Sequence, residues 1–493
     1  MAKSEQDYLE EIYHVASAGP FTPDWNSLSE MTLPEWFAQS KFGIFIHWGL
    51  YSLAAHANEW YPRNMYMKGK EEWEYHRRTF GEHTSFGYKD FIPLFKAEKF
   101  SPEEWVSLFK ESGAKYIFPV AEHHDGFQMY RSELSQYNAW DMGPHRDVLG
   151  ELKRSAEEAG LHFCTSSHRA EHWWFMSHGK EFDSDIKDPL KRGDFYWPAR
   201  PEPHEADLQS RPYPDEEFLN DWLLRTCEIV DRYRPSLLYF DWWIQHEAFR
   251  GVLKTFAAYY YNRGKQWGKD VAICYKHDAM MFGSGIVEVE RGALADAKPY
   301  IWQTDTAIAK NSWCYTDSLD YKTSGQIIRM LIEVISKNGN MLLNIGPKGD
   351  GSIPADDARI LQEIGAWMKQ NGEAVYGSRP WRKTGEGSVH ICEGQFTDNE
   401  EPIYTREDIR FTAKGDSIYA FLMRYPADGK VTIRSLADSA DQNTSAFHGL
   451  IEDVTLPGYE EADVEWSKDR NGLHLQIRGI RTELPVVVKI KVK

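Results

Sequence analysis

Eight short runs rich in Ile, Val, Phe, Leu and Tyr recur through the first three quarters of the chain: KFGIFIHWG, AKYIFPVAEHHDGF, LHFCTSSHRAEHWW, SLLYFDWW, VAICYKHD, GIVEVERG, YIWQTDT and NMLLNIGP. Each begins apolar and ends in His, acidic or other polar residues before a loop. Unbroken apolar runs of this length suit strands buried on both faces. Segments with apolar residues at helical spacing separate several of them. RDVLGELKRSAEEAG ends on a glycine that suits a helix C-cap, and DEEFLNDWLLRTCEIVDRYRP stops at Pro235; SGQIIRMLIEVISKNG and ADDARILQEIGAWMKQNGEAV read the same way. Strands alternating with helices predict a parallel sheet of the α/β class. Eight of them predict a (β/α)8 TIM-like barrel with its active site at the C-terminal strand ends. A doubly wound sheet fits less well, because no Gly-rich phosphate loop follows the first strand.

From about Thr384 the period changes. SIYAFLMRYP, KVTIRSLAD, IEDVTLPGYE, DVEWSKDRNGLHLQIRGI and PVVVKIKVK alternate apolar with polar residues, with Gly, Pro, Asp and Asn between them. This predicts a C-terminal antiparallel β-sandwich domain that packs against the barrel, with carbohydrate binding as a lesser alternative role. Residues 1–27 are then an N-terminal extension, 28–380 the catalytic barrel and 381–493 the sandwich. A long polar, Pro-rich insertion between Ala170 and Pro214 is expected to rim the site.

Composition narrows the function. The 493 residues are ample for both domains. Lys and Arg number 57 against 75 Asp and Glu, a net charge of −18, and no cationic run stands out. Neither nucleic acid nor an anionic membrane is the expected partner. No stretch approaches the length of a transmembrane helix, and MAKSEQDYLEEIYHVASAGP lacks the apolar core of a secretory signal. The five cysteines Cys164, Cys227, Cys274, Cys314 and Cys392 are scattered, without CxxC. Reduced thiols and a cytoplasmic location are therefore expected. Aromatic residues reach 14%, more than one core usually demands, so some are expected in a site.

NEWYPRNMYMKG sets Glu59 beside Trp60 and Tyr61. A carboxylate among aromatics suits a sugar, whose ring offers an apolar face and a rim of hydroxyls. In PSLLYFDWW, Asp241 emerges where a buried strand stops, between Phe240 and Trp242; it serves either a site or the cap of the next helix. Glu288 and Glu290 alternate with Val and share one strand face, with Glu290 nearer the strand end. The alternative for Glu290 is a solvated pair with Arg291. Glycoside hydrolysis needs two carboxyl groups, which favours Asp241 together with a Glu. His47, His123 and His124 end the first two runs. Their spacing does not match HExxH, and adjacent histidines on a strand point to opposite faces. Neutral imidazoles that bond sugar hydroxyls fit without a metal.

These stretches together resemble the α-L-fucosidases of glycoside hydrolase family 29. KFGIFIHWGLYS, NEWYPRNMY, HHDGF, LYFDWW, VERG, YIWQTDTAI with SWCY, SKNGNMLLNIGPKGDGSIP and NGEAVYGSRPW stand in the family's order from about Trp36 to Pro380. YTREDIRFTAKGDSIYAFLMRYP is similar to the β-sandwich that follows the barrel. The resemblance implies retaining exo-hydrolysis of terminal α-L-fucosyl residues through a covalent intermediate, without metal or organic cofactor. Its expected partner is a fucosylated oligosaccharide or glycoconjugate, and homo-oligomers are common in the family. Asp241 falls at the nucleophile position. Glu290 matches the acid/base best, with Glu288 the other candidate. His47, Glu59, Trp60, His123 and His124 match positions that hold the fucose. The chain departs from the commonest pattern in TSSHRAEHWW, where Ser167 or, preferentially, His168 is expected in the pocket. Tyr239 stands where some members have Trp, Lys276 where Arg is frequent, and Cys314 replaces a Gly beside the retained Trp313. A related α-L-glycosidase is the alternative, since an α-L-galactoside adds only a hydroxyl to the methyl group. A metal-dependent barrel hydrolase would need His47, His123 or His124 to converge with Asp125 or Asp241.

Overall fold

Each of the eight apolar runs forms a parallel strand. A computed structural model describes residues 4–204, 207–398, 401–438 and 450–493. The strands are β1 (Phe42–Ile46), β2 (Tyr116–Glu122), β3 (His162–Phe163) continued by β4 (Thr165–Ser167), β5 (Leu237–Phe240), β6 (Ala272–Tyr275), β7 (Ile286–Glu290), β8 (Trp302–Ala307) and β9 (Gly339–Ile345). The segments β3 and β4 are two halves of one strand interrupted at Cys164. Pairing runs β1-β9-β8-β7-β6-β5-β4-β2, and β1 also pairs with β2, which closes the barrel.

Two cores explain the continuous apolar runs. Inside the barrel Phe45, Tyr116, Phe118, Tyr239, Cys274 and Leu342 fill the lumen. The alternate residues, such as Ile44, Ile117, Leu238, Ile273 and Met341, pack outward against helices. A strand buried on both faces has no polar position to alternate with. Gly43 shows how tightly the lumen is filled, because a Cβ there would sit 2.2 Å from the ring of Tyr116.

Helices Pro102–Glu111, Val148–Ala159, Glu216–Tyr233, Arg250–Trp267, Ser324–Ser336 and Ala355–Val375 cover the outside. The connections 276–285 and 291–301 contain no helix. They fall short of the dozen or so residues that a helical crossover needs. The open flank is covered by a loop of the C-terminal domain, residues 394–398. Its Phe396 and Thr397 donate backbone N–H groups to the carbonyls of Glu290 and Arg291, both at 2.8 Å, and Gly394 donates to Ala293 at 3.1 Å.

The N-terminal helix Glu5–Ala18 is bound to the barrel. Asn262 accepts from the Phe21 backbone and donates to the carbonyls of Val15 and Phe21. Among the described residues no helix is long and apolar enough to cross a membrane.

The C-terminal domain is a two-sheet antiparallel sandwich. One sheet runs β10-β11-β12-β17-β14 (Arg379–Glu386, Ile409–Lys414, Ser417–Leu422, Val486–Val492, Ile451–Thr455), the other β13-β16-β15 (Lys430–Ile433, Gly472–Arg478, Asp463–Asp469). Strand β12 is buried along its whole length. Its Ile418, Ala420 and Leu422 enter the sandwich core, whereas Tyr419 and Phe421 pack on the barrel side. A buried ionic cluster joins the two parts: Glu333 receives Arg410 at 2.8 Å, Lys337 at 3.0 Å and the Tyr404 hydroxyl at 3.1 Å.

Candidate active site

The barrel brings the polar ends of its strands together at one mouth, as parallel packing requires. They line a cavity of about 420 Å³, within the usual range for small-ligand sites. Asp241, Glu290, His47, Glu59, Trp60, His123, His124, His168, Tyr239 and Trp313 all line it. Phe45, Trp242, Lys276, His277, Asp305 and Phe396 complete the lining.

Asp241 follows β5 and Glu290 ends β7. Between them stands Lys276, which follows β6. Its Nζ lies 2.7 Å from Asp241 Oδ1 and 2.7 Å from Glu290 Oε2. The two bridged oxygens are therefore no farther apart than twice 2.7 Å. That bound lies below the roughly 6.5–9.5 Å that separates the carboxyl groups of inverting glycosidases. Glu290 thus pairs with Lys276, while Arg291 turns away to stack over Trp313 at 4.5 Å.

The environment drives the two carboxyl groups in opposite directions. Burial opposes ionisation of Asp241, but the Lys276 ammonium, His168 and His124 outweigh it and hold the carboxyl well below its ordinary range. Its Oδ2 is 3.0 Å from His168 Nδ1 and 3.3 Å from His124 Nε2. Glu290 is buried without that set of donors, so burial pushes its pKa up to about 7, with the Asp241 charge adding to the shift and Lys276 opposing it. Glu288 faces the same way one layer deeper, where Gln303 donates to it at 2.6 Å. It does not line the cavity.

The histidines divide into two electrostatic kinds. Burial keeps His47 and His123 well below the ordinary imidazole range and lowers His168 to about 4, so all three are neutral near pH 7. His124 differs. Burial disfavours its charge, but Glu171, 3.0 Å from Nδ1, and Asp241 raise its pKa to about 10. The imidazolium thereby adds a second cation beside Asp241.

The expectation that His123 and His124 face opposite ways is corrected. Strand β2 ends at Glu122, and 123–126 form a turn closed by Gly126 N–H to the His123 carbonyl at 3.1 Å. Both imidazoles enter the cavity, 4.3 Å apart between centroids. The turn needs Gly126: φ is +83°, and a Cβ would meet the His172 ring at 2.6 Å. His172 in turn bonds the His124 carbonyl at 2.8 Å. Gly126→Ala is expected to destabilise the fold by about 1–3 kcal/mol, read as a lowered midpoint in urea titration.

Other side chains hold the pocket walls in place. Asn344 on β9 bonds His47 Nδ1 at 2.6 Å and donates to the Trp313 carbonyl at 2.6 Å. The Glu59 carboxylate accepts the Trp313 backbone N–H at 2.9 Å. Behind His168 lies a closed box of charges: Arg169 reaches Glu122 and Asp221, both at 2.6 Å, and Arg225 reaches the same pair at 3.1 and 3.0 Å. Removing one member of such a buried set costs about 3–5 kcal/mol. Ser167 does not line the cavity, and Asp125 accepts from the Tyr88 hydroxyl at 2.7 Å outside it.

The 170–214 insertion reaches the site differently from the rim expected of it. Among its described residues none lines the cavity. Instead Glu202 holds Arg63 at 2.6 Å, and Arg63 stacks on Trp60 at 5.5 Å. Lys276, Asp305 and Phe396 were not anticipated as site residues. Lys276 carried a visible signal, since YKHD places a charge after a buried strand as YFDWW does. Asp305 sits inside the wholly buried β8 and accepts the Tyr239 hydroxyl at 2.7 Å.

Two groups, His47 with His123 and His168, and His124 with His168 and Asp241, have potential ligand atoms within 4.8 Å of one another.

A family model described as alpha-L-fucosidase matches residues 9–373, and one described as alpha-L-fucosidase C-terminal domain matches 404–490. The tissue alpha-L-fucosidase of Rattus norvegicus is 30% identical over 482 residues, covering 94% of this chain and 88% of its own length. The human tissue enzyme is 30% identical over 455 residues, 91% and 86% of the two chains. Among solved structures, the Thermotoga maritima alpha-fucosidase in complex with fucose superposes with a TM-score of 0.73 at 28% identity, covering 95% of this chain and all of that one. With the barrel, the sandwich and the paired carboxyls in place, these matches show that the chain belongs to the α-L-fucosidase family of glycoside hydrolases.

Proposed function

We propose that the protein hydrolyses terminal α-L-fucosyl residues of oligosaccharides or glycoconjugates with retention of configuration, using Asp241 as nucleophile and Glu290 as acid/base. The observation that supports this reading is the Lys276 bridge, which holds two carboxyl oxygens no farther apart than twice 2.7 Å while their proton affinities diverge.

In the first step Glu290 gives its proton to the glycosidic oxygen as the anionic Asp241 attacks the anomeric carbon. The glycosidic bond breaks, the leaving alcohol departs, and an ester joins the sugar to Asp241. In the second step Glu290, now ionised, takes a proton from water. The water oxygen attacks the same carbon, Asp241 leaves as the carboxylate, and two inversions give net retention. Lys276 and His124 keep Asp241 anionic between turnovers.

The pocket chemistry suits a deoxy sugar. Neutral His47, His123 and His168 and the Glu59 carboxylate present acceptors and donors for hydroxyls, while Trp60, Trp313 and Phe45 present apolar walls for the ring and methyl group. His123 Nδ1 is buried without a hydrogen-bond partner among the described residues, a position a sugar hydroxyl would satisfy. All five cysteines are unpaired, four of them buried, which fits a reducing, cytoplasm-like compartment.

Proton NMR of the first-released sugar tests the stereochemistry. The α-anomer should appear first from EDTA-treated enzyme acting on 4-nitrophenyl α-L-fucoside. Early β-anomer would refute retention, and loss of the rate with EDTA would refute a metal-free mechanism.

A further inference from the structure

We infer that Phe396, carried by the connection between β10 and β11 of the C-terminal sandwich, is the platform on which the leaving-group sugar stacks. The inference rests on the cleavage assigned above to Asp241 and Glu290. Phe396 lines the same cavity as the carboxyls, yet it is 56% exposed where the histidines of the pocket are buried. It therefore stands at the mouth, on the outward side of the bound sugar.

Its position relative to the chemistry is defined by backbone bonds. The Phe396 N–H donates to the Glu290 carbonyl at 2.8 Å, and the next two residues donate to the Arg291 carbonyl at 2.8 and 3.0 Å. Asp398 locks the segment from below: its buried carboxylate accepts from Thr306 at 2.6 Å and Lys322 at 3.0 Å. The group that protonates the glycosidic oxygen and the exposed ring thus move as one unit. The alcohol leaving from Glu290 departs toward the mouth, where an aromatic face can take the apolar face of a pyranose.

The backbone adds an independent observation. Phe396 has φ +55°. A bulky non-glycine residue in that region is uncommon and costs free energy. Asn or Gly would satisfy the turn without strain, so the turn alone does not call for an aromatic ring. The ring is also too exposed to serve a core.

Comparison of two substrate types tests this. α-L-Fucosyl fluoride has a single-atom leaving group that cannot stack, whereas a panel of α-L-fucosyl disaccharides has leaving groups that can. Phe396→Asn keeps the left-handed backbone and deletes the ring; Phe396→Tyr keeps the ring. In Phe396→Asn the ratio of kcat/KM for the disaccharides to that for the fluoride should fall roughly three- to tenfold. Phe396→Tyr should hold the wild-type ratio. A ratio unmoved in the Asn variant, or lowered equally in the Tyr variant, overturns the inference. Should the wild type cleave neither substrate, the cleavage reading fails and takes this one with it; cleavage with an unmoved ratio removes only the platform.

Discussion

Asp241→Gly should lower kcat on 4-nitrophenyl α-L-fucoside by about 10⁴-fold or more. No other carboxylate in the cavity has comparable support for its charge, since Lys276, His168 and His124 all aim at it. Asp305 also lines the cavity, but burial raises its pKa, and the Tyr239 hydroxyl bonds it 2.7 Å away, so it is a poor substitute. Deleting the carboxylate opens space beside the anomeric carbon. Azide should therefore restore turnover by attacking from that side, giving the β-fucosyl azide in a single inversion. Because Asp241 is paired with three cationic or donor groups, the variant must first be shown folded by circular dichroism. A folded variant with near-wild-type kcat would end the nucleophile assignment.

Glu290→Ala should separate substrates by their leaving groups. Loss of a positioned general acid costs about 10²–10⁴-fold when the departing alcohol needs a proton. Disaccharides should show that loss, and 2,4-dinitrophenyl α-L-fucoside a smaller loss in its first step. Azide should act here on the fucosyl-enzyme and yield the α-fucosyl azide, the opposite anomer from Asp241→Gly. The pH profile gives a second reading. Glu290 must be protonated in the free enzyme, and burial raises its pKa to about 7. The active form is thus present below about pH 7 and lost as pH rises through it, so kcat/KM should fall on the alkaline side near that value. Glu290→Gln should remove that limb. Asp241 is held well below its ordinary range, so its ionisation limits activity only at strongly acid pH. If Glu288→Ala instead showed the leaving-group dependence, the acid/base would lie one layer deeper than the cavity lining indicates.

Local chemistry along the chain is enough to read the barrel. Strands buried on both faces are largely apolar, and His47, Asp241 and Glu290 stood out in one dimension because each stands where such a run ends. The alternation of Glu288 and Glu290 likewise gave their common face, though not their depth. That depends on where the neighbouring strands end: Gln303 on β8 covers Glu288 while Lys276 meets Glu290.

Other features required the folded chain. Whether His124 is charged depends on Glu171, brought to it by the loop after β4, and no spacing in the sequence encodes that pair. The two short helix-free connections leave a flank of the barrel open, and only the folded chain shows that residues 394–398 cover it. Phe396 is the extreme case. It lies more than a hundred residues beyond Glu290 in a stretch with no periodic signal, and joins the site only because its backbone pairs with the end of β7. Strand burial is a local property, written in each residue's own polarity. Proton affinities and the cavity mouth arise from distances between segments remote in sequence, and those distances exist only once the barrel has closed.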